Sequence, residues 1–318
     1  MRAIVLDQQQ VTARDDYPLP TLADGEVLVR VLRAGICETD LQLIRGYMGF
    51  RGVLGHEFVG IAESEPFAGR RVVGEINCSC WRCETCLAGR PTHCPHRSVI
   101  GILNHDGAFA DFVAVPQRNL HVVPDSVATD LAVFTEPLAA AFQIPAKLPL
   151  RREDRVVVLG DGRLGNLCAQ VLASLCDRVL VIGKHTAKLA ILRKLGLETC
   201  LLEDRPRERL ADVVVDCTGS ESGLPTALEL VRPRGTVVLK TTVAGTQSMP
   251  WAPIVIDEVR IVGSRCGPFD RALAALERGE VQVQPLISDR FKLSNGLAAL
   301  ERAQSKDALK ILLDVERD

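Results

Sequence analysis

The stretch from Val156 to Gly165, VVVLGDGRLG, constrains this chain more than any other. Val156-Val157-Val158-Leu159 is a continuous apolar run of the kind buried on both faces of a parallel sheet. Gly160, Gly162 and Gly165 follow in G-x-G-x-x-G spacing, and residues 164–175 then read as a helix. Glycine strings alone are common. Between a strand and a helix they let backbone amides at the helix N-terminus approach a pyrophosphate with no side chain in the way. That context predicts dinucleotide binding by Gly160, Gly162, Leu164 and Gly165.

The same texture continues downstream. Strands are expected at 178–182, 212–216 and 236–239, with helices near 187–195 and 225–231. Strand–helix alternation with short connections implies an α/β fold built on a doubly wound parallel sheet. Residues 1 to 135 differ: short β-like runs, such as 27–31 and 109–115, are separated by Gly, Asp and prolines including Pro18, Pro20, Pro116 and Pro124. The tail from Cys266 returns to mixed texture and ends in an apolar strand over 310–315. A chain of 318 residues fits two domains better than one core. The expected division is 1–139, completed by 266–318, and a dinucleotide-binding domain over 140–265.

An NAD site wants an acidic residue about 20 positions beyond the glycines, at the end of the second strand, to hold the ribose 2′-hydroxyl. Here that strand runs into Gly183-Lys184-His185-Thr186-Ala187-Lys188. No carboxylate stands there, and Lys184, His185 and Lys188 would attract a 2′-phosphate. NADP is favoured over NAD.

Eleven cysteines are many, and five of them lie between Cys78 and Cys94. Cys80, Cys83, Cys86 and Cys94 follow C-x2-C-x2-C-x7-C, with Gly89 and Pro91 turning the chain before the fourth. Four thiolates at about 2.3 Å from a tetrahedral Zn²⁺ need such a tight loop, and a full ligand set leaves no place for substrate. This zinc is structural, and Cys78 is a bystander. A second set of donors is dispersed: Cys37-Glu38-Thr39-Asp40, Gly55-His56-Glu57 and Glu136-Pro137-Leu138. A catalytic zinc takes three protein ligands and keeps one position open. Cys37, His56 and either Glu57 or Glu136 satisfy that count, although each residue taken singly has an ordinary structural explanation.

Gly35-Ile36-Cys37-Glu38-Thr39-Asp40, then Gly55-His56-Glu57-Phe58-Val59-Gly60, then the four-cysteine loop, resemble the zinc-containing medium-chain dehydrogenase/reductase superfamily. Glu136-Pro137-Leu138-Ala139 resembles its polyol and threonine dehydrogenase branches, and the resemblance runs essentially end to end. It implies a GroES-like β-rich catalytic domain beside a Rossmann domain, an active site in the cleft between them, and a homodimer or homotetramer. It assigns Cys37, His56 and Glu136 as zinc ligands and Glu57 as a glutamate that reaches the metal in some states. Thr39 becomes the hydroxyl that hydrogen-bonds the substrate oxygen, and Asp40 the carboxylate that orients the histidine. Thr218, in Cys217-Thr218-Gly219, falls beside the nicotinamide ribose, and Lys310 matches a basic position that contacts the pyrophosphate. The implied reaction passes a hydride between an alcohol and nicotinamide, with zinc polarising the substrate oxygen. Two departures stand out. Gln42 occupies a position where many relatives carry a histidine ending a proton relay, and the 63–71 connection is abbreviated. Residues 43–52, with Arg45, Tyr47 and Phe50, are expected to help line the substrate pocket.

A net charge of −2 and an aromatic content of 4% exclude an electrostatic footprint or a stacking surface for nucleic acid. No apolar run approaches the ~20 residues that span a bilayer, and Met1 to Leu6 meets Asp7 too soon for a signal-peptide core. A cytoplasmic enzyme acting on a small molecule is expected. A zinc-free quinone reductase on the same fold predicts loss of Cys37 and His56, and both are present. A non-catalytic nucleotide-binding protein is the third reading, opposed by the intact ligand set.

Overall fold

A computed structural model describes residues 1–240 and 251–316. It divides into two compact units: Met1–Glu136 with Ala272–Arg278 and Leu286–Asp318, and Pro137–Arg271 with Gly279–Pro285. Over residues 272–318 the chain alternates between the two units. Segment 279–285 joins the second unit because the Gln170 side chain clasps the backbone of Gln282, donating to its carbonyl at 3.1 Å and accepting from its amide at 2.7 Å.

The first unit is built on a seven-stranded sheet. Its order is Leu120–Val122, Arg71–Gly74, Glu57–Ala62, Glu26–Gly35, Lys310–Asp314, Ile287–Lys292, with Phe112–Pro116 also paired to Glu26–Gly35. The ten-residue strand Glu26–Gly35 alternates buried apolar residues with more exposed ones over its first half, the period-two pattern of a half-buried strand. Val29, Phe58, Phe109, Ile311 and Leu313 belong to one continuous core under this sheet. Register then does the positioning: Gly35 lies opposite Glu57 on one side and Leu312 on the other. The residues after Gly35 thus emerge beside the start of the Glu57–Ala62 strand. A small sheet of Gln10–Arg14, Ala3–Asp7 and Gly52–Val53 accompanies it.

The second unit carries a six-stranded parallel sheet ordered Glu198–Leu201, Arg178–Gly183, Arg155–Leu159, Ala211–Asp216, Val231–Leu239, Arg260–Gly263. In chain order this is 3-2-1-4-5-6, the arrangement of dinucleotide-binding sheets, with the order reversing beside the first strand. Helices Arg163–Ala173, Thr186–Lys194 and Gly223–Leu230 connect the strands. The last strand, Arg260–Gly263, forms one edge of this sheet and follows the helix Ala252–Ile256. Among the described residues no helix is long and apolar enough to cross a membrane.

Candidate metal centres and dinucleotide site

Cys37 precedes the helix Glu38–Ile44 as its N-cap, and Asp40, three residues on, accepts the Cys37 amide at 2.7 Å. That bond fixes the chain where it leaves the sheet, so the Cys37 thiol is held by backbone geometry. His56 arrives from the other side. Gly55 has φ +98°, and a Cβ there would lie 2.2 Å from the Phe109 ring. Only glycine makes that turn against the core. Gly35 is under similar pressure, since a Cβ there would meet Glu57 Oε2 and Val133 Cγ1, both at 2.8 Å.

The outcome is a buried triad of donors. Single ligand atoms of Cys37, His56 and Glu57 lie within 4.8 Å of one another. His56 and Glu57 are 3% and 1% exposed, so whatever neutralises them must come from inside the fold. His56 Nδ1 sits 3.3 Å from Asp40 Oδ1, which leaves the opposite ring nitrogen to face a metal. Burial works against a charged imidazole here, and the negative charges of Asp40 and Cys37 outweigh it, holding the His56 proton well above the usual histidine range. The same field favours a bound cation. Glu57 Oε1 has no hydrogen-bond partner although it is fully buried. A thiolate, an imidazole and a carboxylate with an orphaned oxygen make a donor set that fits zinc.

Glu136 stands in the first turn of the helix Thr135–Lys147, half-buried, and does not join this set. Thr39 Oγ1 is 3.8 Å from Cys37 Sγ, next to the triad. Gln42 is turned to Glu38, donating to its carboxylate at 2.9 Å. Phe50 is packed into the core at 7% exposure, and Arg45 is largely exposed and pairs with Glu38.

Lys310 lies deep in the first unit. Its strand lies inside the seven-stranded sheet, paired to Glu26–Gly35, and its side chain is 0% exposed. The ammonium hydrogen-bonds Glu57 Oε2 and reaches the Ile36 carbonyl at 3.4 Å, 5.6 Å above the Phe134 ring. A side chain with no accessible surface offers nothing to a pyrophosphate. It compensates Glu57 instead, across 253 residues of chain.

The four-cysteine loop closes as its spacing demands. Cys83 Sγ is 3.5 Å from Cys86 and 3.8 Å from Cys94, and Cys94 is 3.4 Å from Cys80. The edge of a tetrahedron with 2.3 Å zinc–sulfur bonds is about 3.8 Å, and all four cysteines are free of disulfides. Backbone amides of Arg82 and Cys83 lower the Cys80 thiol to about 6, while burial and the neighbouring thiols push Cys86 up to about 12. Cys78, pushed to about 12 by burial, lies outside the cluster.

In the second unit, Gly160 has φ +112° and its amide donates to the Ile182 carbonyl at 2.8 Å. A Cβ on Gly165 would stand 2.0 Å from the Gly160 carbonyl oxygen, which is why helix and turn pack only with glycine. Gly162 caps the helix that begins at Arg163 and Leu164. A cavity beside this turn is lined by Gly160, Asp161, Gly183, Lys184, His185 and Thr218, among others. Thr218 is held there by Asp216, whose Oδ1 accepts its amide at 2.9 Å and its hydroxyl at 2.8 Å. Lys184 is exposed and Lys188 half-buried on the helix that follows.

Sequence reasoning missed one residue. The second strand ends without an acid, yet Asp161, from between the first two glycines, places its carboxylate there. Its Oδ2 accepts the amides of Lys184 at 2.7 Å and His185 at 2.6 Å. The signal was an acid at the centre of G-x-G, a position whose side chain can reach the next strand.

Residues 23–125 match the model of the alcohol dehydrogenase GroES-like domain, and residues 164–278 that of the zinc-binding dehydrogenase. An L-threonine 3-dehydrogenase of Streptomyces avermitilis is 32% identical over 334 residues, covering 94% of each protein. A zinc-binding dehydrogenase of Sinorhizobium meliloti 1021 solved with NADP superposes with a TM-score of 0.88 at 26% identity, over 99% of both chains. An alcohol dehydrogenase of Escherichia coli CFT073 complexed with NADH does so at 0.89 and 26%, again over 99% of each. The chain belongs to the zinc-type medium-chain dehydrogenase family, and it is an oxidoreductase of the alcohol dehydrogenase type.

Proposed function

We propose that this enzyme interconverts a secondary alcohol, of polyol or amino-alcohol type, and its carbonyl compound, with NADP preferred over NAD. One catalytic and one structural zinc are assigned, the first to Cys37, His56 and a carboxylate, the second to Cys80, Cys83, Cys86 and Cys94. The convergence of Cys37, His56 and Glu57 donor atoms within 4.8 Å carries the reading. Glu57 is the resting third donor by proximity, with Glu136 the alternative from the adjoining helix. When bound, zinc supplies a Lewis acid to the substrate oxygen and nicotinamide supplies the hydride acceptor.

The chain's own residues do the remainder. Asp40 Oδ1 stands 3.3 Å from His56 Nδ1, in place to orient the ring. Lys310 compensates Glu57 and holds it in place. Thr39, beside Cys37, accepts the proton of the substrate hydroxyl and passes it on. Gln42 cannot titrate near neutrality, so it would not carry that proton onward. The amides at Gly160, Gly162, Leu164 and Gly165 would hold the dinucleotide phosphates, Gly183, Lys184, His185 and Lys188 would receive the adenosine end, and Thr218 would serve the ribose of the nicotinamide. The basic, glycine-led end of the Arg178–Gly183 strand supports NADP.

A second copy of the chain is the expected partner, as a homodimer or homotetramer. The open edge strand Arg260–Gly263 and the exposed Trp251, Val255 and Ile256, at 68%, 72% and 77%, support it. Eleven free cysteines support a cytoplasmic location. Metal analysis combined with NADPH oxidation against a panel of carbonyl compounds tests the whole reading. Two zinc ions per chain with turnover is the expected result; one zinc and no turnover refutes it.

A further inference from the structure

The carboxylate that the glycine turn delivers to the end of the second strand has a specific consequence for cofactor choice. Asp161 is 8% exposed at its side chain, and it gathers three donors: the amides of Lys184 and His185, and His185 Nδ1 at 3.0 Å from Oδ1. A Cβ on Gly183 would fall 2.4 Å from Asp161 Oδ2. Asp161 thus occupies the space where a side chain at the strand's end would begin, and Gly183 has to be glycine for it to fit. The turn itself is stitched to that strand through the Gly160 amide and the Ile182 carbonyl.

Two roles are open to a carboxylate in this place. Bare, it would bind a ribose diol and repel a 2′-phosphate. Saturated, it would shape the groups around it. Three donors on one buried carboxylate, one of them an imidazole that is itself 41% exposed, describe the saturated case. His185 and the exposed Lys184 share the wall of the same cavity.

We propose that Asp161 is a positioning residue for cofactor discrimination: it clamps the Lys184–His185 turn so that this turn receives the adenosine 2′-phosphate. The proposal rests on the NADP reading above. No atom of Asp161 needs to touch the cofactor; it acts through His185 and the two amides.

The test is equilibrium binding of NADPH and NADH, read by nicotinamide fluorescence, to the intact protein and to D161N and H185A. The two cofactors differ only at the 2′ position, so general damage weakens both alike while loss of the clamp changes their ratio. In D161N, NADPH affinity is expected to fall by about tenfold or more, the scale of one charge-assisted hydrogen bond, with NADH affinity nearly constant. H185A is expected to fall in the same direction, and D161N on top of it to add little. An unchanged NADPH to NADH ratio in folded D161N overturns the proposal, and a rise in NADPH affinity does so by identifying Asp161 as the bare acceptor of a diol. Should D161N not fold, unchanged NADPH affinity in H185A overturns it equally. A wild-type protein that prefers NADH sinks the NADP reading itself, before any variant is compared.

Discussion

Replacing Lys310 with methionine isolates the buried ion pair behind the metal site. Methionine fills a similar volume and removes only the ammonium. Glu57 then remains at 1% exposure with Oε1 already unpartnered and Oε2 newly so. Breaking a buried pair from one side costs about 3–5 kcal/mol, because the surviving charge is uncompensated. At 1.4 kcal/mol per tenfold change, that is a drop of roughly two to four powers of ten in the closed-to-open equilibrium. Native-state hydrogen exchange reads it directly. The Ile36 amide, bonded to the Ile311 carbonyl at 3.0 Å, and those of the Glu26–Gly35 strand are the reporters. K310M should lower their protection by that amount, and K310M/E57Q should recover at least half of it, since the double variant leaves no net charge behind. A single variant within about 1 kcal/mol of wild type, well under the expected penalty, refutes the argument. So does a double variant as unstable as the single one.

Four other perturbations are informative. Asp40→Asn should weaken the catalytic zinc by about 10–100-fold, the usual effect of removing the partner of a metal-bound histidine, while leaving the four-cysteine zinc alone; competition with a chromophoric chelator measures both. Cys94→Ser should cost one zinc per chain and shift the emission of Trp81, which lies between Cys80 and Cys83, and retention of both ions would contradict the structural assignment. Gly165→Ala pushes a Cβ to 2.0 Å from the Gly160 carbonyl, and overpacking of this kind costs about 1–3 kcal/mol; NADPH and NADH should both bind about five- to 100-fold more weakly, unlike the selective loss expected of D161N. Tyr17 is pushed up to about 12 by burial, with the Asp106 carboxylate adding to it. Because the folded value exceeds the unfolded one of about 10, its contribution to stability is complete below pH 10 and is lost as pH rises toward 12. Ultraviolet titration should show a late tyrosinate step that Y17F removes.

How much of this was legible beforehand follows the distance along the chain between interacting groups. Cys80, Cys83, Cys86 and Cys94 lie in one short loop, where covalent spacing alone brings four sulfurs to 3.4–3.8 Å. The Val156–Gly165 stretch is likewise self-contained, since strand, turn and helix follow one another without a gap. The parallel sheet was readable because its four inner strands carry runs of buried apolar residues; the edge strands Glu198–Leu201 and Arg260–Gly263 do not. Cys37 and His56 were recognisable as a pair by motif, but spacing left their third partner open.

Tertiary structure settled what local sequence could not reach. Antiparallel register put Gly35 opposite Glu57 and drew the strand Lys310–Asp314 in beside them, so that Lys310 faces a buried carboxylate. A parallel neighbour strand brought Gly183 against Asp161, filling with an acid a position that appears empty in the sequence. In both cases the partner is chosen by hydrogen-bond register between strands, a quantity set by the packing of whole sheets; neighbours along the chain carry no record of it.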